Sequence, residues 1–279
     1  MRRPSIFLKT LQDLRWQVFW YGLGLALMAA LVVYIYPSYS DQLTDFEIPE
    51  ALKAIIGDVD YATATGFISA EVLSWVPIVL AVFAITSGTG ALGGEEANGT
   101  LDLLLAQPIS RTRLAVEKLT GLFAAALLLT AIIYAGWLVS VPFVDIEVGL
   151  GDLALATLNM APIVLLLQSL ACFASVTLGS RGSATGAITA FAVGSYFVNY
   201  LASLVDAIEP VRVVSVFYHY HGTEVLTHGL NWGGLGLLMG LYVAFSILAV
   251  LAFQGREIGA GQSSISLPWL RREQPEPAS

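Results

Sequence analysis

Residues 119–143 read LTGLFAAALLLTAIIYAGWLVSVPF, a run with no Asp, Glu, Lys or Arg. A helix rises about 1.5 Å per residue and a bilayer core is about 30 Å thick. Such a run is therefore long enough to cross a membrane as one helix. Five further stretches have the same character: 17–37, 71–92, 153–178, 184–204 and 232–253. None carries a charge in its interior; Glu71 and Asp152 stand at edges. A membrane barrel would show shorter alternating segments instead. The sequence predicts an all-α membrane protein with six transmembrane helices in a domain spanning 17–253.

Composition agrees. The chain has 279 residues, 56% of them hydrophobic and only 12% charged, with a mean hydropathy of +0.74. A soluble domain carries about 25% charged residues, so a single soluble globule is excluded. The net charge of −8 argues against a nucleic-acid partner, which needs a basic patch. An acidic chain whose only lysines are Lys9, Lys53 and Lys118 suits a high-salt environment. The single cysteine, Cys172, excludes an intrachain disulfide.

Basic residues set the expected orientation. With the N-terminus inside, the cytoplasmic segments hold Arg2, Arg3, Lys9, Arg15, Arg111, Arg113, Lys118, Arg181, Arg256, Arg271 and Arg272. The outer segments hold only Lys53 and Arg212, and most of the acids. Both termini are thus expected in the cytoplasm of a multi-pass protein of the cell membrane. Residues 1–16 contain no signal-peptide cleavage pattern. Phe7, Leu11, Leu14 and Val18 share one helical side, which predicts an amphipathic helix lying in the cytoplasmic interface before the first span. A short helix is expected around Leu52–Ile56. Residues 254–279 form a Gly/Ser-rich, then Pro/Glu-rich cytoplasmic tail, expected to be partly disordered.

Between the second and third spans lies Gly93-Gly-Glu-Glu-Ala-Asn-Gly-Thr-Leu-Asp-Leu-Leu-Leu-Ala-Gln-Pro-Ile-Ser-Arg-Thr-Arg113. Glu95 and Glu96 stop the apolar run, and Asn98-Gly99 is a turn pair. Thr100 is placed to cap a short helix in which Leu101, Leu104 and Leu105 share a side. Pro108 ends that helix, and Ser110 is placed to cap the next. A Leu-rich side with no core to fill suits either a protein contact or the lipid interface.

Glu95, Gly99-Thr100-Leu101, Leu103-Leu104-Leu105, Pro108, Ser110-Arg111 and Lys118 resemble the cytoplasmic motif of ABC type 2 transporter permeases. The resemblance implies six spans, an amphipathic N-terminal helix, and a coupling helix that docks on a separate ATPase subunit. Its interface candidates here are Glu95, Glu96, Gly99, Thr100, Leu101, Leu104, Pro108, Ser110 and Arg111. It further implies a permease homodimer or heterodimer, and export driven by ATP. A P-loop needs a glycine followed by lysine, and no lysine here follows a glycine. ATP and magnesium are therefore expected on the partner, with no cofactor in this chain.

Other features are weaker. Gln168, Ser169, Ser175, Thr177, Thr185, Thr189, Ser195, Asn199 and Tyr200 are polar span residues, expected mainly to bond neighbouring helices. Gly182 with Gly186, Gly229 with Gly233, and Gly236 with Gly240 have the spacing of close helix packing. His221, Glu224 and His228 would share one face of a helix. No His-Glu-x-x-His accompanies them, and Phe217, Tyr218 and Tyr220 suggest an interfacial aromatic belt instead. A self-contained carrier or channel is the rival reading, since Pro77 and Pro162 interrupt spans. An intramembrane hydrolase is disfavoured: every histidine falls in one outer segment, and there is no Gly-x-Ser-x-Gly elbow.

Overall fold

A computed structural model describes residues 5–43, 60–94, 110–144 and 146–255, with no strand among them. In chain order the elements are α1 (Ile6–Leu43), α2 (Ala64–Ile68) running into a π-helix (Ser69–Leu73), and α3 (Val76–Ala91). Then come α4 (Arg111–Ser140), α5 (Leu150–Leu158), α6 (Ala161–Thr177) and α7 (Arg181–Ala202). Short 3₁₀ turns at Asp206–Val214, Tyr218–Tyr220 and Gly222–Glu224 lead to α8 (Val225–His228) and α9 (Trp232–Gly255).

Among the described residues, five segments are long and apolar enough to cross a membrane: Ile6–Tyr39, Ala64–Ala91, Arg111–Phe143, Leu150–Thr177 and Trp232–Gly255. The remaining expected span is α7. Its 22 residues reach about 33 Å, but Ser183, Thr185, Thr189, Ser195 and Asn199 dilute its apolar character, and it does not join the five.

Two other expectations are corrected. From Ile6 onward, the expected interfacial helix and the first span over 17–37 are one unbroken helix of 38 residues. The one proline inside this helix is Pro37, well past Trp16, so none is placed there to open the hydrogen-bond ladder. At about 57 Å, α1 is far longer than a bilayer core. Its buried side, Ile6, Thr10, Leu14, Val18, Leu25 and Ala29, lies along α4. The amphipathic stripe thus faces protein, rotated slightly from the expected one. Trp16, Phe19, Trp20, Leu27 and Leu31 are left exposed. The fourth span, expected as one helix over 153–178, is divided between α5 and α6. Pro162 sits in the first turn of α6, where its missing N–H costs no bond. Pro77 does the same in α3, directly after the π-helix.

The core forms around α6, which packs on α3, α4, α7 and α9. Residues 161–169 are buried without interruption, as expected for a helix apolar on all sides. Close approaches are made by glycines. A Cβ on Gly88 would lie 2.5 Å from the Gln168 carbonyl oxygen, and one on Gly136 2.5 Å from that of Ala26. Among the six glycines whose spacing suggested packing, Gly182, Gly186, Gly229, Gly236 and Gly240 have no neighbour within 4 Å of an added Cβ, and Gly233 meets only the Asn231 side chain. Spacing alone does not say which side of a helix faces its neighbours.

The bundle separates charge. One end gathers Lys9, Asp13, Lys118 and Arg181 around a common cavity, with Arg111 and Arg113 on the nearby start of α4. The other carries Asp60, Glu71, Glu147, Asp152, Glu209 and Glu224, with Arg212 as the lone Lys or Arg among its described residues.

Candidate functional site

The interface candidates Glu95, Glu96, Gly99, Thr100, Leu101, Leu104 and Pro108 lie outside the described residues, as do the expected Leu52–Ile56 helix and all of the tail past Gly255. Ser110 and Arg111 are described. Ser110 caps α4 as expected, accepting from the Arg113 amide at 3.3 Å. Arg111 Nη1 donates to the Gln254 carbonyl at 3.4 Å, and Gln254 Nε2 donates to Thr112 Oγ1 at 2.9 Å. Glu117 accepts from Arg113 Nε at 2.7 Å and from the Phe7 amide at 3.3 Å. Phe7 lies in the first turn of α1, where amides lack helical partners and favour negative charge. The start of α4 is therefore joined to the first helix and to the last.

Next to this junction is a cavity of about 420 Å³, lined by Lys9, Asp13, Gln17, Ser87, Lys118 and Arg181 among others. Lys118 is 4% exposed. The Arg181 guanidinium lies over Gly90, whose added Cβ would come 3.4 Å from Nη2.

A second cavity, of about 460 Å³, opens at the acidic end. Leu73, Ser74 and Pro77 supply one wall, from the π-helix, the turn after it and the first turn of α3. π-helical turns are often found at functional sites. Tyr196 and Asn199 come from α7, and Arg212, Phe217, Tyr218, Tyr220, His221 and Glu224 from the loop that follows. Arg212 Nε donates to Asn199 Oδ1 at 2.9 Å, and its guanidinium carbon lies 5.1 Å from the Tyr218 ring centre. Tyr220 is 6% exposed, and among the described residues its hydroxyl has no hydrogen-bond partner. Burial pushes that phenol well above its ordinary pKa, so it keeps its proton.

The loop is pinned from below. Asn159 Nδ2, between α5 and α6, donates to the Tyr220 carbonyl at 2.7 Å. The Ser195 and Ser215 hydroxyls bond each other, Ser215 Oγ donates to the Ser195 carbonyl, and Ser195 Oγ accepts from the Val216 amide. Asn159→Ala is expected to lower stability by about 1–3 kcal/mol, because a buried carbonyl loses its donor. A fall in the thermal unfolding midpoint of the purified protein checks this.

Among the described residues, two of the nine polar span residues, Gln168 and Thr185, bond a neighbouring helix, fewer than expected. Gln168 Nε2 donates to Ser87 Oγ at 3.0 Å and Thr185 Oγ1 to Thr89 Oγ1 at 3.2 Å. Ser169, Ser175 and Thr177 bond carbonyls of their own helix. Asn199 differs, holding Arg212 at the cavity. His221, Glu224 and His228 do not lie along one helix. His221 takes a left-handed conformation (φ 45°) that separates two 3₁₀ turns. His221 Nδ1 lies 3.4 Å from Glu224 Oε2, whereas His228 bonds Thr227. Among the described residues, no group of three His, Cys, Asp or Glu is placed to hold a metal. Sequence reasoning did not foresee Tyr196, Arg212 and Tyr220 as one site. The signal available was an arginine isolated among acids, beside aromatic residues.

A search of curated proteins returns no match. The family model described as the C-terminal domain of the multidrug efflux system permease Rv1217c matches residues 10–254. That match runs from the first turns of α1 to the end of α9, so the chain belongs to this family of multidrug efflux permeases and is a multi-pass membrane transport protein.

Proposed function

We propose that this chain is the membrane subunit of an ABC exporter, joined through residues 95–111 to a separate ATPase. Two copies, or this chain and a homologous one, enclose the path. α7 counts as the sixth span, the basic end faces the cytoplasm with both termini, and the cell membrane is the site of action. One observation carries the reading: the exit of the 95–109 loop is hydrogen-bonded to α1 through Phe7 and to α9 through Gln254. A push on that loop is transmitted to the first and last helices together. ATP-driven closure of the partner then biases the permease between two packed arrangements. The open faces at Gly182, Gly186, Gly236 and Gly240 are available to the second permease.

The test combines partner identity with topology. Gentle detergent extraction is expected to co-purify a Walker-type ATPase. Cys172 is the sole cysteine and is buried, so the native background to an impermeant thiol reagent is silent. Val213→Cys should label from outside intact cells, and Asn98→Cys only after lysis. The opposite pattern puts the loop outside, beyond reach of any cytoplasmic motor, and ends this reading. A rival carrier or channel would transport without ATP or a partner.

A further inference from the structure

We propose that the acidic-end cavity binds an amphiphile through an anionic head, a phosphate or carboxylate, with Arg212 as its anchor and the Tyr220 hydroxyl as a second donor. As the identity of a transported cargo this rests on the permease reading; as a binding site it stands on the cavity alone.

The volume, about 460 Å³, lies in the usual range for small-molecule sites. Arg212 is held from two sides. Its Nε is engaged by Asn199, and Tyr218 lies against the guanidinium. Its Nη1 and Nη2 have no hydrogen-bond partner among the described residues. A planar fork held at its inner edge, with outer N–H groups uncommitted, matches two oxygens of a carboxylate or phosphate. The second observation is independent. Tyr220, nine-tenths buried, lines the same cavity, and its protonated hydroxyl has no hydrogen-bond partner among the described residues. A buried polar atom without a partner is uncommon in native proteins, and a ligand would supply the missing bond.

The remaining walls mix polar groups, Ser74, Ser203 and Thr223, with surface for an apolar body. Tyr196, Phe217 and Tyr218 offer ring surface, and Leu73 and Pro77 add aliphatic surface. A cationic head fits less well, because the Tyr218 ring already carries the Arg212 guanidinium. Glu224 also lines the cavity and works against an anion. Its side chain is mostly exposed, and His221 stands beside it. The acids Asp60, Glu71, Glu147, Asp152 and Glu209 give this end a field that repels anions, so binding of an anion depends on Arg212.

The experiment uses the purified full chain without any ATPase, in phosphatidylcholine nanodiscs. A short-chain NBD-labelled phosphatidate is titrated and followed by fluorescence anisotropy. Saturable binding is expected. Arg212→Gln keeps an amide able to donate to Asn199 and should weaken binding by about 10- to 100-fold. Arg212→Lys should fall between the two, and Tyr220→Phe should cost about 3- to 10-fold. Thermal midpoints establish that each variant is folded. Should Arg212→Gln fail that check, Tyr220→Phe and the competitors still decide. Equal binding by wild type and Tyr220→Phe or folded Arg212→Gln overturns the proposal. So does tighter binding of an NBD-labelled alkylamine of the same length. Displacement by inorganic phosphate as readily as by unlabelled phosphatidate assigns a free-anion site and overturns the amphiphile. Loss of ATPase co-purification would leave these results standing, and absent binding would leave the coupling route intact.

Discussion

Replacing both Leu101 and Leu104 with aspartate is expected to abolish ATPase association and ATP-driven transport while leaving the protein inserted and folded. The physical case begins with composition. Leu101, Leu104 and Leu105 share one side of a four-residue spacing, bounded by the Asn98-Gly99 turn and by Pro108. On the proposed reading that side is buried against the partner. Apolar anchors at the centre of an interface each contribute about 2–4 kcal/mol, and a carboxylate in their place is left buried without a cation. The pair should therefore weaken association by more than about 1,000-fold. The fold should be spared, because Arg111 and Glu117 tie the start of α4 to α9 and α1 without these leucines. Co-purification with the tagged ATPase, ATP-dependent efflux and the thermal midpoint are the three measurements. Unchanged co-purification would remove the docking role from this helix.

Gly88→Leu should have the largest effect on the fold itself. In a bilayer the lipid is as apolar as leucine, so helix association depends on close packing and interhelical hydrogen bonds. At Gly88 an added Cβ meets the Gln168 carbonyl oxygen at 2.5 Å and the Ala171 Cβ at 2.8 Å. The first obstacle is backbone and cannot rotate away, so α3 and α6 must separate. That separation also stretches the Ser87–Gln168 hydrogen bond one residue away. The expected cost is about 3 kcal/mol or more, at the upper end of overpacking, read as loss of monodisperse protein or a large fall in thermal midpoint. Gly136→Leu, against Ala26, should behave alike. Gly240→Ala is the control: nothing lies within 4 Å, and alanine in a helix interior gains about 0.5–1 kcal/mol over glycine. If Gly88→Leu and Gly240→Ala melt together, the α3–α6 contact is not what these distances describe.

These two substitutions also separate what was legible from what was not. The stretches at 119–143 and 232–253 are apolar beyond any soluble use, and both are helices. The Ser110 cap was readable because a cap depends only on its own side chain and an amide a few residues along. The unbroken α1 was not readable. Amphipathic periodicity reports that one side is covered, not whether protein or headgroups cover it. The close-packed glycines failed for a related reason. Gly182 and Gly186 have the right spacing, whereas Gly88 and Gly136 have the right neighbours.

The outer cavity shows the same division at the level of function. Arg212 was visible in the sequence only as an exception to the charge asymmetry, and Tyr220 only as part of an aromatic run. Asn199, in another helix, orients the first, and Asn159, farther still, pins the backbone of the second.

By itself the sequence determined that this chain is helical and spans a membrane, that its basic and acidic residues divide by segment, and that no P-loop lysine is present. Each of these depends on composition or on residues within a turn or two of one another. Only the tertiary structure decided which helix sides meet, where a proline divides a span, and which distant side chains share a cavity. Those outcomes depend on the rotation and depth of each helix against its neighbours, and that geometry is set by packing across the bundle.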